Sequence, residues 1–230
     1  MKNVHVFVPV KHESQRVPGK NFRLILGEPL WHRCIRRFSE DFSIFIDTDS
    51  SDIIQAVGED KNLQSWKIYV RERQGHLCGN DMSVNRLIDH FIHSELMVLQ
   101  DHIVVQIHVT SPFLSPDTVR RAVEHIKSGK YDSVVGCNII QSRLWREEGL
   151  LGLVPVNHNP DQLHPTQHLP RFFEENSSLY AFRVSAFDVR RNRIGLNPLF
   201  MPVSFPENVD IDTEEDWNKV VKLASLEWKK

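Results

Sequence analysis

Two periodicities of apolar residues alternate along the chain. Short runs rich in β-branched and aromatic residues predict buried strands over residues 4–10, 42–46, 66–70, 102–107 and 131–137, and again over 178–182 and 199–203. Between these runs, apolar residues recur at helical spacing around residues 31–38, 53–57, 83–93, 116–126 and 213–226. Strands that alternate with helices in this way are typical of an α/β protein whose largely parallel sheet carries helices on both faces.

Four polar segments follow predicted strands, at residues 11–21, 47–50, 108–112 and 208–212. Ligands of such folds bind outside the carboxyl ends of the strands, so we expect these segments to converge on one edge of the sheet. Residues 138–175 form the one long stretch predicted to be irregular. We therefore expect one domain over residues 1–230, with 138–175 as a functional arm or lid.

Composition narrows the class of protein. The chain has 230 residues, and its 28 Lys and Arg against 30 Asp and Glu leave a formal net charge of −2, which argues against a general nucleic-acid coat protein. The three cysteines have no metal-binding or disulfide-framework spacing. No apolar run approaches the length of a membrane span. We expect a cytoplasmic protein with no nucleic-acid and no membrane partner.

The segment 11–21 has the composition of a phosphate-binding loop. It follows the first predicted strand and carries cations, small polar side chains and a glycine, namely Lys11, Ser14, Arg16, Gly19, Lys20 and Asn21. Phosphate groups need such cations together with backbone N–H groups at close approach, which a glycine permits. The segment matches neither GxxxxGK[ST] nor GxGxxG, and a solvated basic loop is the alternative.

Asp210 and Asp212 are candidates for a metal site. In an extended segment, alternate residues lie on the same side, so the two carboxylates would converge. Mg²⁺ prefers such oxygen ligands and also takes phosphate oxygens. For Asp212 there is an alternative, because Asp followed three residues later by Glu is a signature of a helix N-terminus. For Thr110 and Ser111, which could bind a sugar or base, the alternative is a capped turn.

Taken together, these segments resemble the CMP-sugar synthetases, specifically the acylneuraminate cytidylyltransferases and their CMP-Kdo relatives. The matching motifs are spread over nearly the whole chain. They are SQRVPGKN at 14–21, DTDS at 47–50, Arg73 with Leu77 and Ser83, TSPF at 110–113, QHLP at 167–170 ahead of Asn176 and Tyr180, and DIDT at 210–213.

The resemblance implies a three-layer αβα, Rossmann-like nucleotidyltransferase fold with a mostly parallel mixed sheet. It implies that 138–175 is a protruding dimerisation arm, and hence that the chain forms a homodimer. The implied reaction is Mg²⁺-dependent transfer of CMP from CTP to the anomeric 2-hydroxyl of a 3-deoxy-2-ulosonic acid, either sialic acid or a related nonulosonate, with release of pyrophosphate.

The resemblance also implies roles for individual residues. The catalytic residues would be Lys20, Asp210 and Asp212, with Mg²⁺ on the two aspartates. The nucleotide-binding residues would be Lys11, Ser14, Arg16, Lys20, Asn21, Arg73 and Ser83. The sugar-binding residues would be His108, Thr110, Ser111, Gln167 and Tyr180.

The chain departs from the usual motifs at Gln15, His108 and Thr166. Thr166 stands where the family carries an arginine, and Arg143 and Arg171 are candidates for the missing basic contact to the acid sugar. Two alternatives stay open: a nucleotidyltransferase for a different sugar or nucleotide, and a non-catalytic nucleotide-binding protein. The motifs leave open which ulosonic acid is used and whether one or two Mg²⁺ ions bind.

Overall fold

The computed structural model describes residues 3–79, 81–96 and 99–227. The chain forms eleven strands: β1 Val4–Val10, β2 Leu24–Ile25, β3 Glu28–Pro29, β4 Ser43–Thr48, β5 Ile68–Glu72, β6 Ile103–Ile107, β7 Ser133–Ile140, β8 Trp145–Glu147, β9 Leu153–Pro155, β10 Phe172–Arg183 and β11 Pro198–Pro202. It forms seven α-helices: α1 Leu30–Phe38, α2 Ser51–Glu59, α3 Lys61–Ser65, α4 Val84–Phe91, α5 Pro116–Lys127, α6 Val184–Arg190 and α7 Glu214–Glu227.

Seven of the strands form one sheet in the order β11-β7-β10-β6-β1-β4-β5. Strand β10 runs antiparallel to both of its neighbours, and the other adjacent pairs are parallel. The sheet is therefore mixed but mostly parallel, which confirms the prediction. Its parallel strands β1, β4 and β6 end on the edge where the polar segments 11–21, 47–50 and 108–112 begin.

Helices cover both faces of the sheet, so the three-layer prediction is also confirmed. One face packs against α1, α2 and α5 through buried side chains such as Phe38, Ile53 and Val123. The other face packs against α4 and α6 through side chains such as Phe91 and Phe187. Burying this much apolar surface on both faces is what makes each parallel strand a nearly continuous hydrophobic run.

A third apolar cluster joins the segment 11–21 to the segment that precedes α7. Its members include Val17 and Ile211, both fully buried, together with Val220 of α7. The amide of Ile211 also donates to the carbonyl of Thr110 at 3.1 Å. This cluster fixes three segments that are distant in sequence at one edge of the sheet, and it thereby builds the site.

The prediction that residues 138–175 are irregular is wrong at both ends. Strand β7 continues to Ile140 and β10 begins at Phe172, and the two pair beyond the body of the sheet. Within the segment, β8 and β9 form a small antiparallel hairpin. The arm exposes large apolar side chains, among them Leu151 at 74% and Leu163 at 84%.

Two helices, α3 and α6, were not predicted, because each is short and carries few apolar residues at helical spacing. The helix predicted over 83–93 ends as α4 at Phe91 and continues as a π-helical turn over Ile92–Leu96. Within the described ranges, no helix is long and apolar enough to cross a bilayer.

Candidate active site

A cleft of about 360 Å³ lies at the carboxyl edge of the sheet. Its walls come from the loop 11–21, from Arg73, from the start of α4, from residues 108–110 and Ser177, and from Asp210 and Asp212. The predicted convergence of the polar segments on one edge is therefore what the structure shows. We call Lys11, Arg16, Lys20, Asp210 and Asp212 the loop side of the cleft.

The loop 11–21 is held in one shape by its own polar contacts. Gly19 adopts a left-handed conformation with φ of 64°, which a glycine takes without steric cost. The buried Asn21 donates from Nδ2 to the carbonyl of Lys11 at 2.7 Å and so ties the two ends of the loop together. Lys11 donates to the carbonyl of Gly79 at 2.7 Å. These contacts place the cations before any anion binds.

Lys20 is the most buried cation of the loop side, at 7% exposure. Its ammonium donates to the carbonyl of Ile211. Burial lowers the pKa of Lys20, while the nearby carboxylates of Asp210 and Asp212 act in the opposite direction. A half-desolvated ammonium attracts an anion more strongly than a solvated one does, because the local dielectric is low.

The two aspartates lie together at the cleft, but each has a different environment. Burial raises the pKa of Asp210, and a hydrogen bond from Thr110 opposes that rise. Asp212 accepts from Arg16 at 2.7 Å through Oδ2, whereas its buried Oδ1 has no hydrogen-bond partner among the described residues. The pair is therefore a concentration of negative charge that the chain only partly compensates.

The alternative interpretation of Asp212 as a helix cap is wrong. The cap of α7 is Thr213, whose hydroxyl accepts from the amide of Asp216 at 3.1 Å. The carboxylate of Asp216 in turn accepts from the amide of Thr213 at 3.0 Å. This reciprocal pair satisfies the helix start, so Asp212 is free to face the cleft.

These aspartates fit Mg²⁺ in the chemistry of their donors. Carboxylate oxygens suit this hard cation, and Asp212 Oδ1 is a buried oxygen in need of a partner. In the part of the chain that the structure describes, no group of three or more His, Cys, Asp or Glu side chains surrounds a metal position. Mg²⁺ usually completes its shell with water and substrate phosphates, so two protein carboxylates are a sufficient set.

Arg73 lies at the cleft behind the loop side. It is buried, and its Nε donates to Asp47 Oδ1 at 2.5 Å while Nη2 donates to the carbonyl of Asp47 at 2.9 Å. Its buried Nη1 has no hydrogen-bond partner among the described residues. Arg73 is thus fixed by Asp47 and has one donor left that a bound oxygen anion could use.

On the other side, His108 lines the cleft, and three polar side chains in contact with one another lie behind it: Gln106, Tyr180 and Arg193. We call these four residues the strand side. Burial together with the charges of Arg193 and Lys20 lowers the pKa of His108 to about 4. His108 is therefore neutral at physiological pH and can act as both donor and acceptor.

Gln106 and Arg193 were missed by the sequence analysis. Gln106 reads as part of the apolar run of β6, and Arg193 follows the unpredicted α6 in a stretch with several other arginines. A signal was available for Gln106, since a glutamine in the middle of a buried strand needs a polar partner. No local signal singled out Arg193.

Several residues that the resemblance assigned lie outside the cleft lining. Ser83 is exposed and caps α4 by accepting from the amide of Asn85. Ser111 is buried and Gln167 is exposed on the arm. Tyr180 is buried, and its hydroxyl donates to Glu175 at 2.7 Å. The remaining assigned residues, Lys11, Ser14, Arg16, Lys20, Asn21, Arg73, His108, Thr110, Asp210 and Asp212, line the cleft together.

The carboxyl edge of this α/β sheet gathers cations and a carboxylate pair in one cleft, an arrangement whose chemistry suits a polyanion and a divalent cation. Solved structures share this fold. A CMP:2-keto-3-deoxy-manno-octonic acid synthetase in complex with CTP superposes with a TM-score of 0.64 at 16% identity, covering 97% of this chain and 99% of that one. A 4-diphosphocytidyl-2C-methyl-D-erythritol synthase superposes at 0.66 with 9% identity, covering 96% and 98%.

Curated relatives are similar in sequence as well. The CMP-N,N'-diacetyllegionaminic acid synthase of Legionella pneumophila is 28% identical over 95% of each chain. The N-acylneuraminate cytidylyltransferase of Oncorhynchus mykiss is 24% identical over 94% of this chain and 49% of its own. The 3-deoxy-manno-octulosonate cytidylyltransferase of Lawsonia intracellularis is 23% identical over 79% of this chain and 71% of its own.

The model of the cytidylyltransferase family matches residues 5–228. The chain belongs to this family and is a nucleotidyltransferase.

Proposed function

We propose that this enzyme transfers CMP from CTP to the anomeric 2-hydroxyl of a 3-deoxy-2-ulosonic acid and releases pyrophosphate. The observation that carries the proposal is the loop side itself. Three cations of one loop, Lys11, Arg16 and Lys20, line a single cleft together with Asp210 and Asp212. The names of the relatives, which make CMP derivatives of nonulosonic and octulosonic acids, support this class of acceptor.

The residues of the loop side would act mainly by position and charge. Lys11 and Lys20, with Arg16 and the loop amides, would bind the triphosphate and offset its charge. In-line displacement at phosphorus needs this neutralisation and alignment more than it needs covalent catalysis. Lys20 would bind the phosphate nearest the aspartates, because its ammonium donates to the carbonyl of Ile211, the residue between them in sequence.

Asp210 and Asp212 would hold Mg²⁺, which would neutralise phosphate oxygens and make the attacking hydroxyl more acidic. Arg73, with its remaining Nη1 donor, would bind an oxygen of the nucleotide. His108 and Thr110 would face the acid sugar on the opposite wall. His108 is neutral, so it can hydrogen-bond a sugar hydroxyl without adding charge.

We also propose that the enzyme is a homodimer joined through the arm. The arm exposes Leu151 and Leu163, and exposed apolar surface of this kind marks protein contacts. In a dimer, Gln167 and Arg171 of the arm could complete the site of the partner. Light scattering with size-exclusion chromatography tests this, with a Leu151→Lys variant as the dimer-breaking comparison.

The proposed activity is tested by pyrophosphate release with CTP and Mg²⁺ over a panel of 3-deoxy-2-ulosonic acids. We expect turnover with at least one acid and dependence on Mg²⁺. Replacing CTP with ATP, GTP or UTP should abolish it. Turnover only with a sugar 1-phosphate, or CTP binding without pyrophosphate release, would contradict the proposal in favour of one of its two alternatives.

A further inference from the structure

Arg193 occupies an unusual environment beside the cleft. Its guanidinium carbon lies 3.5 Å from the centre of the Tyr180 ring. Its Nη1 donates to Gln106 Oε1 at 2.6 Å, and its amide donates to Asn85 Oδ1 at 3.2 Å. Asn85 belongs to α4, whose Val84 and Leu87 line the cleft. The side chain is therefore held in place by both side-chain contacts, close behind His108.

Glu175 attracts the charge of Arg193 from a distance, without direct contact between the two side chains. Among the described residues, no carboxylate lies within ion-pair distance of Arg193, and Glu175 instead accepts from the Tyr180 hydroxyl at 2.7 Å. Arg193 is only half-buried, and its charge acts on His108, which lines the cleft. By contrast, Arg16 and Arg73 are paired with Asp212 and Asp47. A fixed, unpaired guanidinium is suited to bind oxygen acceptors of a ligand.

Gln106 supplies a second and independent observation. It is fully buried in β6, and its Nε2 donor has no partner among the described residues. Its Oε1 is occupied by Arg193. A buried donor without a partner destabilises the fold, and a ligand oxygen would remove that cost. Arg193 and Gln106 therefore offer a ligand hydrogen-bond donors and no acceptor.

The position along β6 shows which part of an acid sugar can reach these donors. Gln106 precedes His108 by two residues, roughly 7 Å along a strand, and Thr110 lies beyond His108 beside Asp210. In a 3-deoxy-2-ulosonic acid the C1 carboxylate is bonded to C2, which bears the attacking hydroxyl. The carboxylate must therefore stay near Thr110 and Asp210, and the opposite end of the sugar points toward Gln106.

We infer that Arg193 and Gln106 form the subsite for the distal, non-reacting end of the acid sugar and select for hydrogen-bond acceptors there. This inference rests on the proposed function. Hydroxyl and acyl carbonyl oxygens satisfy the two donors, whereas a protonated amine is repelled by the guanidinium. The subsite therefore favours acids whose distal amino groups are acylated or replaced by hydroxyls.

The test uses whichever acid the wild-type enzyme converts, with two derivatives that keep C1 and C2 unchanged. One derivative lacks the distal oxygen substituents, and the other carries a free amine in their place. Pyrophosphate release is measured for the wild type and for Arg193→Met, which keeps the length of the side chain but removes its donors. Arg193→Lys retains the charge and serves as the conservative variant.

The matched control is Arg191→Met. Arg191 lies two residues earlier, is exposed, and pairs with Asp89 at 2.6 Å rather than with any residue of the cleft. The KM for CTP and the thermal midpoint of each variant report whether the fold and the loop side are intact.

We expect Arg193→Met to lower kcat/KM for the full acid by roughly 10- to 100-fold and to change that of the truncated derivative by less than about 2-fold. In Arg193→Met, the kcat/KM for the free-amine derivative should rise relative to that for the full acid. For the full acid, the kcat/KM of Arg193→Lys should lie between those of the wild type and Arg193→Met. An equal penalty on every acid would overturn the inference in favour of a carboxylate contact or a purely structural role. Absence of turnover by the wild type would overturn the proposed function itself, and this inference with it.

Discussion

The two sides of the cleft hold their charges in different ways. On the loop side, Lys20 and Arg16 already contact groups of the chain itself, the carbonyl of Ile211 and the carboxylate of Asp212. On the strand side, Arg193 is oriented by the side-chain amide of Gln106 and the ring of Tyr180, and no carboxylate of the described part of the chain pairs with it. The first arrangement balances charge before substrate binds, whereas the second leaves a donor set open.

This difference corresponds to the difference between the two proposed ligands. A triphosphate with bound Mg²⁺ carries both negative and positive charge. A site with cations and carboxylates can therefore replace the ion pairs within the chain by ion pairs with this ligand. An acid sugar offers mainly neutral oxygen acceptors, which are recognised by fixed donors. Chemistry common to all cytidylyl transfer would then depend on the loop side, and choice of acceptor on the strand side.

The largest expected effect is on the loop side. Asp210→Asn removes one carboxylate of the proposed metal pair while keeping its shape, and should lower kcat by about 10³-fold or more, since metal and charge stabilisation dominate such transfers. Binding of CTP without Mg²⁺, measured by calorimetry, should be retained. Asp117→Asn is the control, because Asp117 is exposed at the start of α5 and pairs with Arg120 away from the cleft. Equal activity of the Asp210 variant and the wild type would refute the assignment.

Lys20→Met should have the next largest effect. It removes a buried ammonium from the charge centre of the cleft, and we expect kcat/KM to fall by roughly 10²-fold. Steady-state kinetics at varied CTP concentration would show it. Lys219→Met is the comparison, because Lys219 is exposed on α7 and pairs with Glu215 at 2.9 Å. Similar losses in both variants would mean that Lys20 acts through stability alone.

A third prediction concerns the support of the loop side. Asp47→Asn removes the nearer charge partner of the fully buried guanidinium of Arg73 and leaves it with the more distant Asp49 at 4.0 Å, and should reduce the free energy of unfolding by about 3–5 kcal/mol. The exposed pair of Arg23 with Glu214 provides the comparison, because Glu214→Gln should cost no more than about 1 kcal/mol. Urea denaturation measures both, and similar values for the two variants would contradict the burial argument.

A fourth prediction concerns pH on the strand side. His108 has a pKa of about 4 in the folded state against 6.5 in the reference state. Between these values the unfolded chain binds more protons than the folded chain, so stability falls as pH decreases from about 6.5 toward 4. His108→Asn should lose less stability than the wild type when urea midpoints at pH 7 and pH 5 are compared. An unchanged difference would show that His108 does not titrate in this way.

The smallest expected effect is at Ser83. Because Ser83 is exposed and caps α4, Ser83→Ala should cost about 1 kcal/mol of stability and leave the KM for CTP within about 2-fold of wild type. Ser115→Ala, which removes the cap of α5 and a hydrogen bond to Glu207, is the control for loss of a cap outside the cleft. A selective rise in the KM for CTP would instead support the nucleotide contact that the resemblance implied for Ser83.

Sequence alone determined the fold class and the loop side. The strands are continuous apolar runs. Loop 11–21 and residues 210–213 are short motifs in which the charged and polar side chains lie close together in sequence. Such features are local, since a run of β-branched residues or a glycine between cations has the same physical meaning wherever it occurs. The ends of the arm were less predictable, because the pairing of β7 with β10 depends on a partner strand distant in sequence.

Only the tertiary structure decided the strand side and the role of Asp212. Gln106, Tyr180 and Arg193 come from β6, β10 and the loop after α6, and nothing local shows that they meet. Likewise, Asp212 faces the cleft because Thr213 and Asp216 cap α7 in its place. In both cases the position of a side chain depends on which hydrogen-bond donors and acceptors from distant segments pair with each other. The packing of the whole fold determines those pairs, and no single segment does.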